Sequence, residues 1–155
     1  MEETNIFGSC THAVELSCRQ DLITYCNNNG ISLEDFNEPV TILPNAKCNS
    51  LFKDCKSLNQ SLTIPEGVVD CNFMLEMCES FNQMLIIPDS VTRCNFMLSG
   101  CERFNSDVQM SKSTVSCSFM FQRCTNFNKP LMLPDSVLTC DNMFESCISL
   151  DKVIV

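Results

Sequence analysis

Pro88-Asp-Ser-Val-Thr-Arg-Cys94-Asn-Phe-Met-Leu-Ser-Gly-Cys101-Glu-Arg-Phe104-Asn105 decides how the whole chain is read. Shifted by 23 residues in either direction, it matches itself. Cys48, Cys71, Cys94, Cys117 and Cys140 fall at this spacing, as do Cys55, Cys78, Cys101, Cys124 and Cys147. A fixed period of this length marks a chain built from stacked turns, each unable to bury its apolar side chains alone. The predicted fold class is therefore a repeat solenoid, with one short parallel strand per turn, short helical or 3₁₀ segments and an N-terminal helical cap.

The turn beginning at Pro65 shows the pattern. Val68, Cys71, Met74, Leu75, Cys78, Phe81, Leu85 and Ile87 form its apolar set. Leu51-Phe52, Met97-Leu98, Met120-Phe121 and Met143-Phe144 repeat the central pair, and Leu58, Phe104, Phe127 and Leu150 repeat Phe81. Leu62-Thr63-Ile64, Leu85-Ile86-Ile87, Val108-Gln109-Met110 and Leu131-Met132-Leu133 alternate inward and outward, as strands do. Pro65, Pro88 and Pro134 follow as stops, because proline cannot donate to a ladder. The Met-Leu-x-x-Cys-x-x-Phe segment has the apolar spacing of a single helical or 3₁₀ turn. Asn59, Asn82, Asn105 and Asn128, closed by Asp151, form a column of side chains predicted to bond neighbouring turns.

Upstream the pattern changes. Val14, Cys18, Leu22 and Cys26 recur at four-residue steps and predict a helix from Thr11 to about Asn28. Ser9 or Thr11 can cap its start, and Gly30 can close it. Residues 1–35 read as an N-terminal helical cap, and residues 36–155 as about five turns, the first of them irregular.

Charge narrows the function. The net charge is −9, with no basic stripe to displace counterions from phosphates, which argues against direct nucleic-acid binding. The acid concentrates in the cap: Glu2, Glu3, Glu15, Asp21, Glu34, Asp35 and Glu38 face one base, Arg19, within residues 1–40. Such an end can steer a basic partner. No apolar run is long enough for a membrane helix. With thirteen cysteines and no evident signal peptide, the chain reads as cytoplasmic with reduced thiols. The alternative is a surface location, if the chain is cut from a longer secreted protein.

The cysteines do not form a site. Cys-x₆-Cys is not zinc spacing, and His12 is the single histidine, so neither a metal nor a cofactor is expected. No base accompanies a nucleophile, so no catalytic residue is assigned and the chain is read as non-enzymatic. Two columns of buried, reduced thiols fit the small apolar character of cysteine.

Three surfaces remain as partner sites. The outward strand column is Thr63, Ile86, Gln109 and Met132. An aromatic column is Phe73, Phe96 and Phe119, whose rings can stack on one another or face a partner. The third is a C-terminal edge at Val153, Ile154 and Val155, where two copies could meet as a homodimer.

Ile87-Pro-Asp-Ser-Val-Thr92, then Met-Leu or Met-Phe, x-x-Cys and x-x-Phe-Asn, resembles the BspA-like leucine-rich repeat family over roughly residues 36–155. The resemblance implies a curved, right-handed solenoid that binds proteins, often as an extracellular bacterial adhesin. The chain departs from those adhesins in its shortness and in lacking an export signal. Such repeats also resemble pieces of phage-encoded proteins. The expected function is a protein–protein interaction module. The alternatives are a small acidic inhibitor of a nucleic-acid-handling host enzyme and a fragment of a surface adhesin.

Overall fold

The computed structural model describes residues 12–151. The N-terminal part departs from the single helix expected. Val14–Leu16 forms a strand, β1, and the helix α1 runs from Arg19 to Asn29. Val14 and Leu16 are buried while Glu15 is exposed, so a two-residue period overrides the four-residue one at this point. β1 pairs in parallel with β2, Val40–Ile42, joining the cap to the irregular first turn. Helix α1 starts after the extended Cys18. The Asp21 carboxylate accepts bonds from the Ser17 N–H at 2.8 Å and the Ser17 hydroxyl at 2.6 Å. Those bonds hold its carboxyl below the usual range. The expected caps Ser9 and Thr11 lie outside the described residues. Gly30 closes the helix in the left-handed conformation at φ 65°, as expected, and its N–H bonds Cys26 O. Leu22 and Cys26 are the helix residues buried against the first turns.

The repeated turns stack in parallel, one period apart. Cys71, Phe73, Leu75 and Met77 donate their N–H groups to Arg93, Asn95, Met97 and Ser99 O at 2.8–2.9 Å. Cys94, Phe96, Leu98 and Gly100 donate in the same way to Ser116, Ser118, Met120 and Gln122 O. Cys117, Phe119, Phe121 and Arg123 continue the series to Thr139, Asp141, Met143 and Glu145 O. Between them, Met74, Met97 and Met120 bond within their own turn, as Met74 N–H does to Cys71 O at 3.2 Å.

This segment is not the helical turn that the apolar spacing suggested. A helix keeps its N–H groups inside itself. Here left-handed residues redirect every second one to the next turn. Phe73, Phe96 and Phe119 have φ of 56–59°, and Met77, Gly100 and Arg123 occupy the second left-handed position. Bulky residues adopt this conformation at a cost of about 1–2 kcal/mol each, so neighbouring contacts must enforce it.

The core is one cluster running through all turns. Phe81, Phe104 and Phe127 stack with centroids 5.9–6.1 Å apart, and Phe121 and Phe144 pack alongside. The cysteine columns lie inside this cluster from Cys48 to Cys124. Burial pushes the Cys55 and Cys94 thiols up to about 12 and Cys48 to about 11. Cys78, Cys101 and Cys124 are pushed well above the thiol range by burial. Each of these three thiols also donates to a backbone oxygen, of Phe52, Leu75 and Leu98 respectively, at 3.1 Å. The second column is thus hydrogen-bonded packing.

The asparagine column joins turns from the outside. Asn59, Asn82 and Asn105 are exposed, yet each side-chain oxygen accepts the backbone N–H of its successor at 2.8–2.9 Å. Asn128 bonds Asp151 N–H in the same way at 3.1 Å. A parallel column runs from Asn72 through Asn95 to Ser118 at 2.8 Å per step.

The strand column is less regular than the sequence implies. β3, Leu85–Ile86, pairs in parallel with β4, Val108–Gln109. Leu85 and Ile87 N–H donate to Asp107 and Gln109 O. Among the described residues, equivalent bonds do not join 62–64 to 84–86 or 108–110 to 130–132. The second gap follows a change of sequence. Ile87-Pro88 becomes Met110-Ser111 in the next turn, and Ser111 turns inward to bond Val91 O at 2.7 Å.

Candidate functional site

Two of the gaps in the strand ladder open into cavities on the outward column. One holds about 300 Å³, lined by Leu62, Thr63 and Ile64 on one side and Met84, Ile86 and Pro88 on the other, with Glu66 at its edge. The larger holds about 580 Å³ between Val108, Gln109 and Met110 and Met132, Leu133 and Pro134. Asp107, Lys112 and Pro130 complete its walls. All four residues of the expected strand-column site line one cavity or the other. Sequence alternation placed these side chains outward but did not show that the backbones part beneath them.

The walls are mainly apolar, and their rims are exposed. Ile86 is 54% exposed, Met84 55% and Met132 78%. Large apolar side chains this exposed on the walls of surface cavities mark a candidate interface.

The aromatic column is a different structure. Phe73, Phe96 and Phe119 stack at 4.9 and 4.6 Å, nearly parallel, and are half-buried. Lys53 Nζ sits 5.6 Å from the centre of the Phe73 ring and bridges Glu76 at 2.8 Å. The rings contact one another and a cation, so they read as a turn-joining ladder with its outer edge in water. Their left-handed backbone had no signal in the sequence, because phenylalanine is not a residue that favours it.

The acidic cap is partly described. Glu15, Glu34 and Asp35 are exposed; Asp21 and Glu38 are half-buried. Glu2 and Glu3 lie outside the described residues, as do Val153, Ile154 and Val155 of the expected dimer edge. Glu34 lies 3.3 Å from Lys56, and Asp35 accepts from the Ser32 hydroxyl. Arg19 is held away from these carboxylates. Its Nη1 donates to Ser50 O at 2.9 Å and to Lys53 O at 2.7 Å, capping backbone carbonyls of the first turn. That role was not legible from a lone arginine in an acidic segment. None of the described helices is long and apolar enough to cross a membrane.

Turns of 23 residues that hydrogen-bond to one another and expose an apolar strand-side surface define a repeat protein of stacked turns. The chain belongs to the family described as Mycoplasma protein of unknown function, DUF285, whose match covers residues 46–154. No curated protein matches it, and no solved structure does.

Proposed function

We propose that this chain is a non-enzymatic protein-interaction module on a leucine-rich-repeat-type solenoid, and that it binds a polypeptide partner along Thr63, Ile86, Gln109 and Met132. The observation that carries the reading is the coincidence of the exposed apolar column with two breaks in the strand ladder. A partner's apolar side chains can fill both cavities while its backbone lies across the paired strands between them. Burying exposed apolar surface is worth about 25 cal/mol per Å² before the cost of association, so Ile86 and Met132 are the natural anchors. The thiols support the non-enzymatic reading, because burial holds Cys78, Cys101 and Cys124 in the neutral form.

The test is affinity capture from source cells with the wild-type chain and with an Ile86→Glu/Met132→Glu variant. Both side chains are exposed, so the variant should fold. A partner retained by the wild type and lost by the variant is expected. Equal retention by both proteins refutes the assignment of this face.

The acidic cap supports a second reading, an inhibitor of a basic, nucleic-acid-handling enzyme, because Arg19 donates to backbone carbonyls instead of pairing with the neighbouring carboxylates. That binding would weaken steeply with salt. Capture unaffected by raising the salt concentration removes it.

A further inference from the structure

Each strand-side cavity is pinned at both ends. Across the smaller one, Asn82 N–H donates to Asn59 Oδ1 at 2.9 Å before the strands, and the Ser90 hydroxyl donates to Val68 O at 2.8 Å after them. Across the larger one, Asn128 N–H donates to Asn105 Oδ1 at 2.9 Å, and the Ser136 hydroxyl donates to Thr114 O at 2.7 Å. The turns therefore stay one spacing apart on either side of each gap. Inserting a strand would need a further spacing of about 4.8 Å, so the gaps admit side chains and not a backbone.

The pinning also fixes how far apart the two openings lie. The smaller lies between segments 62–64 and 84–86, the larger between 108–110 and 130–132. The β3–β4 pair separates them, so their centres are two turn spacings apart, roughly 9.6 Å. Ile86 and Gln109, paired in register, stand between the openings, and each forms a wall of one. An occupant of both cavities must present two side chains at that distance on one face and clear this ridge. An extended strand offers i and i+2 about 6.6 Å apart, or i and i+4 about 13 Å apart, and misses the distance. An α-helix reaches about 10.5 Å from i to i+7, but its i+3 and i+4 side chains point at the same surface and strike Ile86 and Gln109. A polyproline II helix has about three residues per turn and rises about 3.1 Å per residue. Its residues i and i+3 therefore share a face about 9.3 Å apart, while i+1 and i+2 turn away.

Polar groups fit the same occupant. The carbonyls of a polyproline II helix make no internal hydrogen bonds. Gln109 offers an exposed side-chain amide that has no partner among the described residues. Charge gives the direction. Glu66 at the smaller cavity and Asp89, next to its wall residue Pro88, are exposed and form no ion pair among the described residues. At the larger cavity, Asp107 already has Lys129 at 4.0 Å, and Lys112 joins the wall. Resting on the strand-side reading above, we propose that the partner segment is proline-rich and binds as a polyproline II helix. A small apolar residue at i fills the smaller cavity, a larger one at i+3 fills the larger cavity, and a basic residue flanks i.

The probe is the labelled synthetic peptide Lys-Pro-Val-Pro-Pro-Leu-Pro-Pro, titrated into the full chain by fluorescence anisotropy and amide NMR. One control moves the leucine to two residues after the valine. The other is an alanine-based helical peptide with valine and leucine seven residues apart. The proposal expects saturable binding of the first peptide, with shifts at both 62–66 and 108–112. It expects the shortened spacing to bind at least about tenfold more weakly. Glu66→Gln, at an exposed position, should weaken binding about two- to fivefold and flatten its salt dependence. No saturable binding of the first peptide overturns the proposal, as does equal binding of the shortened spacing or tighter binding of the helical peptide. The strand-side reading is judged separately by cellular capture. It stands when Ile86→Glu/Met132→Glu still loses the partner, and equal capture removes both.

Discussion

Replacing Phe104 with alanine removes the centre of the aromatic core. Its side chain is fully buried, with ring neighbours Phe81 at 6.1 Å, Phe121 at 6.1 Å and Phe127 at 5.9 Å. Truncating a buried phenylalanine to alanine costs about 3–5 kcal/mol. Each lost ring pair adds about 0.5–1.5 kcal/mol beyond area burial, which places Phe104→Ala at the upper end, near 4–5 kcal/mol. That is a large share of the roughly 5–15 kcal/mol by which a domain is folded. The same position costs less where the side chain is less buried. Leu150 holds that position in the last described turn and is half-buried, so Leu150→Ala should cost under about 2 kcal/mol. Phe104→Leu keeps most of the volume, and leucine already serves at Leu58, so a loss of roughly 1–1.5 kcal/mol is expected. Urea denaturation followed by circular dichroism measures all three. A Phe104→Ala loss below about 1 kcal/mol, or one equal to that of Leu150→Ala, would refute the stacked core.

Other expected outcomes test other links. Arg123 holds a left-handed φ of 61° and is exposed, so Arg123→Gly should stabilise the fold by about 0.5–1 kcal/mol; destabilisation in the same urea assay would contradict the strain assigned to that position. Arg19→Ala leaves two carbonyls of the first turn uncapped and should cost about 1.5–3 kcal/mol, with faster amide exchange in α1. Alkaline pH should destabilise the fold. The buried thiols are raised from 9.0 toward about 11 at Cys48, Cys117 and Cys147 and about 12 at Cys55 and Cys94, so their contribution is complete below pH 9 and is lost as pH rises through those values. Melting temperatures should therefore fall above pH 9, less steeply in Cys94→Ala, and a flat profile would contradict the buried columns. Native-state alkylation read by mass spectrometry should modify exposed Cys140 well before Cys78, Cys101 or Cys124; equal rates would contradict the burial order.

The period of 23 residues made the register legible, because each core position recurs with its type held: Phe81, Phe104 and Phe127 stack as their spacing requires. The asparagine column was legible for the same reason, although its side chains bond from the surface and are not buried. The backbone between Cys71 and Cys78 was not. Three- and four-residue apolar spacing fits a helical turn, and nothing about Phe73 announces a left-handed φ, since the neighbouring turns impose it. The cap showed a second limit. Val14 lies in phase with Cys18, Leu22 and Cys26, so the helix was extended through a segment that parallel pairing with β2 holds as a strand. The outward column was found by alternation, whereas the cavities depend on which strands fail to pair.

Placing a photoreactive benzoylphenylalanine at Gln109, on the wall of the larger cavity, tests the binding face most directly. The control carries the same group at Arg103, which is exposed and lines neither cavity. Irradiation in source cells should yield one discrete protein adduct from position 109, absent from position 103 and abolished by Met132→Glu. An adduct from position 103 with none from position 109 would contradict binding along the strand column.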